Sequence, residues 1–530
     1  MISFFKIDLK KKKGIHFTNC FRMSLSSNFS ASLDELSCLL QRYGIQVRLD
    51  GDGSKKVTDV AADSRRVTSG AIFVAVPGSV ASGSEFIWQA KERGAVAVVV
   101  KDNENSHGLA AIRTNEPRKA LAYLSVFRYS NQDRNLKIGA VTGTNGKSTT
   151  AWIAHSLLTS LGYHTLLIGT LGVYNGIQKL EESALTTPDS LTVQRLIAEH
   201  HERGGTHIIL EASSHALDQF RLDGINFSAV GFTNLTRDHA DYHPTMEDYY
   251  QAKKRLFELA DQSKTPSVHG IIVYDAPYGS RLACEFEGRL SLTTISCAKN
   301  AMHGVSGVKM QYHIGGNGKV IMTFEGESYE LESPFLGDFN AANLLTALGI
   351  CRGLGADISE LVRHVSLLPQ VPGRLEKFQS EENITVFVDY AHTPDALERV
   401  LSTLRKLASG SLVVVFGCGG GRDLGKRPLM GEIATRLADR VVVTSDNPRN
   451  EHPEQIINQI LSGISAEALG RVEIDPDRQK AIETAIRLLR SDDILVVAGK
   501  GHEDYQIIGE KKIHFSDQEI VQAALNLKKH

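Results

Sequence analysis

Cysteine is scarce: Cys20, Cys38, Cys284, Cys297, Cys351 and Cys418 are the only six in 530 residues, and no two form a C-x-x-C pair. That spacing argues against a disulfide framework or a four-cysteine zinc site and fits the reduced thiols of a cytoplasmic protein. No apolar run approaches the ~18 residues needed to cross a bilayer, so the chain is not expected to be membrane-embedded. Residues 1–22 hold Lys10 to Lys13 after a stretch too short for a secretory signal, and Met23 offers a second possible start. Charge of one sign is lacking as well. With 59 Lys+Arg against 61 Asp+Glu the formal net charge is −2, which gives no broad field for nucleic-acid phosphates. An anionic ligand must therefore be met in a local pocket. Short repeats and low-complexity tracts are missing, and 42% hydrophobic with 23% charged residues argues against disordered and fibrous classes. The length suits about three domains of roughly 150 residues each.

What the chain does have is the run TGTNGKST at 142–149, preceded by apolar residues and followed by residues of helical composition. Gly143 and Gly146 permit a tight turn, so that backbone N–H groups and the positive end of the next helix converge on phosphate oxygens. Lys147 is expected to meet the outer phosphates, and Ser148 offers the hydroxyl that such loops set on Mg²⁺. Thr142, Thr144, Asn145 and Thr149 complete the cradle. Val141 stands where the common G-x-x-x-x-G-K-[ST] pattern has glycine, so this is a shorter form of the loop.

Strand-like runs at 71–76 and 95–100 predict a small α/β module in the first segment. Runs at 208–210, 229–233 and 271–274, separated by helical stretches, predict a largely parallel central sheet with helices on both faces. Beyond residue 372, strands at 386–388, 412–416, 441–444 and 494–497 predict a doubly wound third segment. Polar or glycine-rich clusters follow each of these last four: DYAH at 389–392, GCGGGRD at 417–423, DNPR at 446–449 and GKGHE at 499–503. Any one of them could be a turn; together they point to a site at the carboxyl ends of parallel strands.

Two more clusters lie beside the phosphate loop, EASSH at 211–215 and NLTRDH at 234–239. A carboxylate and an imidazole at neighbouring strand ends can complete the shell of a hard cation. Glu211 and His239 are therefore expected to join Ser148 around Mg²⁺, with Asp238 and Asp241 in supporting roles. Residue type alone leaves His239 open between ligand and cap. Lys253 lies in a segment of helical composition, where a lone lysine reads as a solvated surface charge.

Taken in order, TGTNGKST, EASSH, NLTRDH, Lys253, GDFNAAN at 337–343, PGR at 372–374 and DYAHTP at 389–394 form one series. The chain from about residue 25 onward resembles the Mur ligases, ATP-dependent enzymes that join an amino acid to a UDP-N-acetylmuramoyl peptide in peptidoglycan synthesis. The resemblance implies three α/β domains: a UDP-binding one with the N-terminal extension at 1–136, a central P-loop ATPase at 137–370, and a Rossmann-like domain for the incoming amino acid at 371–530. It implies an acyl-phosphate route, a cytoplasmic monomer, ATP and Mg²⁺, and carbon dioxide held on Lys253 as a carbamate, a further metal ligand. By position, Asn343, Arg374 and Asp389 resemble nucleotide contacts, with His392 nearby. Thr186, Thr187, Ser213, Gln219 and Arg221 resemble the muramoyl-peptide pocket, and Ser64 resembles a UDP-binding serine. Asp446, Asn447, Pro448 and Arg449, with Arg422, Gly499 and Glu503, resemble the site of the branch that adds meso-2,6-diaminopimelate to UDP-N-acetylmuramoyl-L-alanyl-D-glutamate. An arginine fork suits the zwitterionic end that diaminopimelate has and lysine lacks.

Ser148 replaces the family's frequent threonine and keeps the hydroxyl; Leu185 stands where an amide side chain can occur. A folylpolyglutamate-synthetase-like ligase would share the ATPase core, though not the N-terminal module or the DNPR run. A P-loop regulatory switch would bind nucleotide without forming an amide.

Overall fold

Apolar runs rich in β-branched residues, bounded by glycine and polar residues, build the central strands of the described sheets. The computed structural model describes residues 29–78, 82–130, 135–275, 277–297, 308–314, 319–380 and 384–527. Residues 1–22, Met23 and Cys20 lie outside them. The chain packs as two units, one ending at Pro117 and the other beginning at Arg118.

The first unit carries a five-stranded sheet in the spatial order Arg48–Asp50, Ala110–Arg113, Ala97–Val100, Ala71–Val74, Asp59–Ala61. Only Arg48–Asp50 runs antiparallel. The fully buried Ala71–Val74 and Ala97–Val100 are the apolar runs legible in the sequence, trimmed by two residues each. Ser64 opens a short 3₁₀ turn capped by Asp63 and donates to Gln89 Oε1 at 2.6 Å.

The second unit contains two large sheets. In the eleven-stranded one, Thr165–Gly169, His207–Glu211, Lys137–Thr142, Ala229–Phe232, His269–Val273, Ser291–Ser296 and Val308–Ile314 lie side by side in parallel. From Lys137–Thr142 the chain builds first on one side and then returns to the other, so the loop at 143–146 opens at a topological switch point. Both faces are covered. Helices Lys147–Ser160 and Asp338–Gly353 pack on one, Ser190–Glu202 and Met246–Asp261 on the other. Helix Asp338–Gly353 can lie close because Gly139 and Gly231 bear no side chain: a Cβ on either would come within 2.9 Å of Ile350. That approach sets Asn343 directly over the phosphate loop. The antiparallel edges, Gly172–Asn175 with Gln178–Glu181 and Val320–Phe324 with Glu327–Leu331, were not foreseen; their outer strands are short and largely solvent-facing, with little apolar signal.

The six-stranded sheet runs Glu376–Gln379, Thr385–Asp389, Ile494–Ala498, Leu412–Phe416, Arg440–Val443, Val472–Ile474, all parallel except the first. Its four central strands match the sequence-predicted ones to within two residues. Their carboxyl ends therefore carry Asp389, Gly417, Asp446 and Gly499 along one edge. Among the described residues no helix is long and apolar enough to cross a membrane, and Cys38, Cys284, Cys297, Cys351 and Cys418 are free thiols.

Two buried charges lock that edge to the last helix. Arg478 and Asp517 have no exposed side-chain surface and pair through Nε–Oδ1 at 2.8 Å and Nη2–Oδ2 at 2.7 Å. Arg478 also donates to the carbonyls of Ala498 at 2.9 Å and Ser445 at 3.3 Å, just before Gly499 and Asp446. Removing one partner leaves the other charge buried and unpaired. Arg478→Met is therefore expected to destabilise this half of the protein by about 3–5 kcal/mol, read as a lower urea midpoint for its unfolding transition.

Candidate active site

The phosphate-loop geometry follows from glycine and from the strand beside it. Gly143 adopts φ 154° and Gly146, which precedes helix Lys147–Ser160, adopts φ 87°. A Cβ on Gly143 would stand 1.9 Å from Thr233 Oγ1, and one on Gly146 would stand 2.2 Å from Asn343 Oδ1. No other residue fits either position. Between them the backbone of Asn145 is held at both ends: its N–H donates to Asn234 Oδ1 at 3.0 Å, and its carbonyl accepts from Thr233 Oγ1 at 2.6 Å and Asn234 Nδ2 at 3.1 Å. Thr144 accepts from Thr236 N at 3.0 Å. Thr142 and Thr149 are buried beneath the loop. The open N–H groups of the helix start thus face the crevice with their aim fixed.

Ser148 donates to Glu211 Oε2 at 2.8 Å, linking the loop to the neighbouring strand end. Glu211 is almost wholly buried, and Gly169 makes its room, since a Cβ there would meet Oε1 at 2.3 Å. Thr170 supplies what sequence reasoning missed. Its N–H donates to Glu211 Oε1 at 2.8 Å, and its hydroxyl lies 3.1 Å from Oε2 and 3.0 Å from the Thr186 hydroxyl. No motif marks it; only the sheet order brings it there. From Thr186 the network continues. Thr187 donates to the Glu211 carbonyl at 2.7 Å and accepts from Ser213 N at 3.0 Å; Arg221 donates to the Thr187 carbonyl and to Gln219 Oε1, each at 2.7 Å. Thr186, Thr187, Ser213, Gln219 and Arg221 thus form one connected wall beside the loop.

Lys253 is not the solvated charge its helical setting suggests. Its side chain is 1% exposed, stands over the Tyr249 ring at 4.4 Å, and donates to the Gly143 carbonyl at 2.7 Å. Lys147 Nζ donates to that same carbonyl at 2.8 Å, and to the Thr144 carbonyl at 2.8 Å. Burial, and then the Lys147 charge, drives the Lys253 ammonium well below its usual pKa. Lys147 is lowered too, by burial, although Glu211 and Asp238 oppose the shift. His239 sits on the loop after strand Ala229–Phe232 with φ 52°, its ring edge-on to His215 at 4.8 Å, and its backbone N–H on Asp238 Oδ1. Burial lowers its imidazole, Asp238 pulling the other way. Glu211, Lys147, Lys253 and His239 share one electrostatic neighbourhood.

The smaller sheet closes the crevice from the other side. Arg374 donates to Ser148 Oγ at 3.2 Å and stacks over Tyr390 at 4.4 Å. Asn145 Nδ2 donates to Asp395 Oδ2 at 3.1 Å. A cavity between the two sheets is lined by Asn145, Gly146, Thr149, Asn343, Arg374 and Asp389, with His392 beside them. Both Asp389 oxygens accept backbone N–H groups, from Leu375 at 2.6 Å and Ala391 at 2.7 Å, so its side chain also fixes the turn that carries Arg374. Burial raises its pKa against the pull of Arg374.

Along the strand-end edge, Asn447 Nδ2 donates to Glu503 Oε2 at 3.0 Å, and a Cβ on Gly499 would meet Asp446 Oδ2 at 2.8 Å. Arg449, with φ 52°, donates to the Gly420 carbonyl at 2.8 Å; it and exposed Arg422 flank Gly419. Pro448 precedes Arg449 in this turn. Asp446, Asn447, Arg449, Gly499 and Glu503 are therefore brought together, with Arg422 at the margin. Ser64 belongs to the first unit.

Three family models match the chain: Mur ligase family, catalytic domain, at residues 56–138; Mur ligase middle domain at 141–351; and Mur ligase, glutamate ligase domain, at 373–501. A UDP-N-acetylmuramoyl-L-alanyl-D-glutamate–2,6-diaminopimelate ligase of Mesorhizobium japonicum is 43% identical over 476 residues, covering 89% of this chain and 95% of that one. The like-named protein of Geobacter metallireducens is 39% identical over 492 residues, covering 89% and 95%. A solved structure of a ligase of that name matches with TM-score 0.66 at 32% identity, over 95% of this chain and 100% of that one. A Mycobacterium tuberculosis folylpolyglutamate synthase shares the fold, with TM-score 0.57 at 17% identity over 71% and 91%. The likeness to the synthase shows the fold alone, whereas the three family models and the identity to the diaminopimelate ligases over most of the chain show that it belongs to the Mur ligase family.

Proposed function

We propose that this chain is an ATP-dependent amide ligase that adds meso-2,6-diaminopimelate to UDP-N-acetylmuramoyl-L-alanyl-D-glutamate, forming a peptidoglycan precursor through an acyl phosphate. The observation that carries the reading is the hydrogen-bonded path from Ser148 through Glu211 and Thr170 to Thr186. It joins a phosphate cradle to a polar wall suited to a peptide carboxylate. The strand-end cluster of Asp446, Asn447, Arg449 and Glu503 supplies the third party, a zwitterion-binding site.

The residues fit a nucleotide and a hard cation. Gly143, Gly146 and Gly169 are cradle positions that any Cβ would fill, and Ser148 with Glu211 offers the oxygen donors magnesium takes. ATP would be held by residues 142–149 with Asn343, Arg374 and Asp389, and Mg²⁺ by Ser148, Glu211, His239 and Lys253 as its carbamate. When bound, Mg²⁺ neutralises phosphate charge during phosphoryl transfer. Thr186, Thr187, Ser213, Gln219 and Arg221 orient the glutamyl carboxylate toward the loop. Lys147 meets the charge that develops on the transferred group. Asp446, Asn447, Arg449, Gly499 and Glu503, with Arg422, then hold the incoming amino acid so that its amine attacks the acyl carbon and phosphate departs. A near-attack distance of about 3–3.5 Å requires both sheets to close on the reactants. Ser64 contributes to binding the UDP group, and the chain acts as a cytoplasmic monomer.

Carbamylation of Lys253 fits its surroundings. Burial lowers the Lys253 pKa and so favours the neutral amine over the ammonium; Nζ forms a bond to the carbon of carbon dioxide, one proton passes to water, and the product is an anion. The site trades two amine nitrogens on one carbonyl, which repel when both are charged, for a cation beside an anion. At ~4 Å two like charges repel by about 4 kcal/mol at an effective dielectric of 20, and the modification reverses that sign.

Phosphate release from ATP should require both the UDP-muramoyl dipeptide and diaminopimelate; release independent of either substrate would exclude the ligase. Arg449→Ala is expected to raise the KM for diaminopimelate roughly 10–100-fold while leaving that for ATP within about twofold, measured by coupled phosphate assay. Lys253→Ala should lower kcat by about 10²–10³-fold, with partial recovery on adding short-chain carboxylic acids. Activity should fall in carbon-dioxide-depleted buffer and return when bicarbonate is added back; ¹³C NMR after ¹³CO₂ labelling checks the adduct.

A further inference from the structure

Lys500 is fully buried and lies in the amino-acid site, yet neither the phosphate chemistry nor the arginine fork needs it. Its ammonium donates to Glu503 Oε2 at 3.0 Å and Asn447 Oδ1 at 3.3 Å, and stands 5.4 Å from the Tyr505 ring centroid. The backbone on either side cannot yield. A Cβ on Gly499 would come within 2.8 Å of Asp446 Oδ2, and one on Gly501 within 2.6 Å of the Gly373 carbonyl. Lys500 is therefore wedged with its charge aimed at Glu503. Stability does not account for it, because an apolar side chain of similar volume often serves a buried position as well or better.

Its electrostatic effect does. Glu503 alone, partly buried and held by Asn447, would attract any ammonium, a simple alkylamine as readily as one end of a zwitterion. With Lys500 at 3.0 Å the carboxylate is already matched, and a second bare cation gains little there. An amino-acid end brings its own carboxylate, which Arg449 and Arg422 can receive, so the arriving group and the pocket are both close to neutral. Rejection of the wrong ligand then comes from a fixed like charge, not from shape. We infer that Lys500 is a specificity-determining residue whose buried charge cancels that of Glu503, so that the site accepts a zwitterionic amino-acid end and rejects a bare ammonium such as that of lysine. This rests on the diaminopimelate reading of the site.

The test is a competition between meso-diaminopimelate and lysine for the UDP-muramoyl dipeptide, with saturating ATP and mass detection of both products, run on the full-length protein, K500M, K500Q and K500R. K500Q serves as a second neutral variant should K500M fail to fold, thermal unfolding being the check. The neutral variants are expected to lose at least tenfold of the diaminopimelate-to-lysine ratio of kcat/KM, chiefly through a lower KM for lysine, with KM for ATP within twofold of the parent. K500R, which keeps the charge, should retain the preference. An unchanged ratio in a folded neutral variant overturns the inference, as does a K500R that loses as much as the neutral forms. A parent enzyme without preference for diaminopimelate removes the underlying reading and this inference with it.

Discussion

The contact between Gly143 and Thr233 governs this site. Because a Cβ at residue 143 would lie 1.9 Å from the Thr233 hydroxyl, the phosphate loop rests on the next strand with no spare space. Thr233 and Asn234 then fix both ends of the Asn145 peptide, and the loop acquires a single shape before any ligand arrives. Electrostatic stabilisation works best from groups that need not reorganise, and a loop clamped on its own sheet is such a group. Gly146 repeats the device against Asn343, which the close approach of helix Asp338–Gly353 delivers. Two missing methyl groups therefore determine the shape of the loop.

Buried charge is the second organising feature. Lys253, Lys500, Arg478 and Arg427 have almost no exposed surface, and each ends on an atom of a strand end or of a loop that follows one. Arg427 holds Glu451 at 2.8 Å and the Gly419 carbonyl at 3.0 Å, beside the arginine fork; Arg478 holds the carbonyls before Asp446 and Gly499. Such pairs add little to stability once desolvation is subtracted, but each defines a direction. They spread across strand ends that have no covalent link nearby, and they keep loops from four strands in mutual register.

These two features explain what could be read from the sequence. The phosphate loop, EASSH and the four strand-end clusters were legible because a parallel sheet delivers every carboxyl end to one edge, so local motifs become neighbours through topology alone. Glycine spacing announced the cradle directly. Lys253 was legible only through family resemblance: composition gave it to solvent, and its burial depends on helix Met246–Asp261 turning that face toward Gly143. Thr170 and Arg478 carried no usable signal, since a threonine after a strand and an arginine at a helix start are ordinary until the tertiary neighbours are known, and Lys500 stood inside the GKGHE cluster with nothing to mark its charge as buried. The edge strands at Glu327–Leu331 and Gln178–Glu181 escaped for the opposite reason, their outward faces being too polar to show a strand period.

The turn at 373–375, which leads into the smaller of the two large sheets, joins both features. Gly373 with φ 62° and Leu375 with φ 45° flank Arg374, and a left-handed leucine costs roughly 1–3 kcal/mol unless its surroundings impose it. Asp389 imposes it, accepting the Leu375 N–H at 2.6 Å from within the sheet. The strained backbone aims Arg374 at Ser148, the hydroxyl that also touches Glu211, so this turn and the phosphate loop share one oxygen atom. Gly373 packs in turn against the backbone of Gly501 and His502, next to the amino-acid cluster. A rotation that moved Arg374 off Ser148 would have to disturb the packing beside Glu503 as well. The phosphate loop and the strand-end cluster at Glu503 are thus coupled through backbone contacts, and neither can be remodelled without disturbing the other.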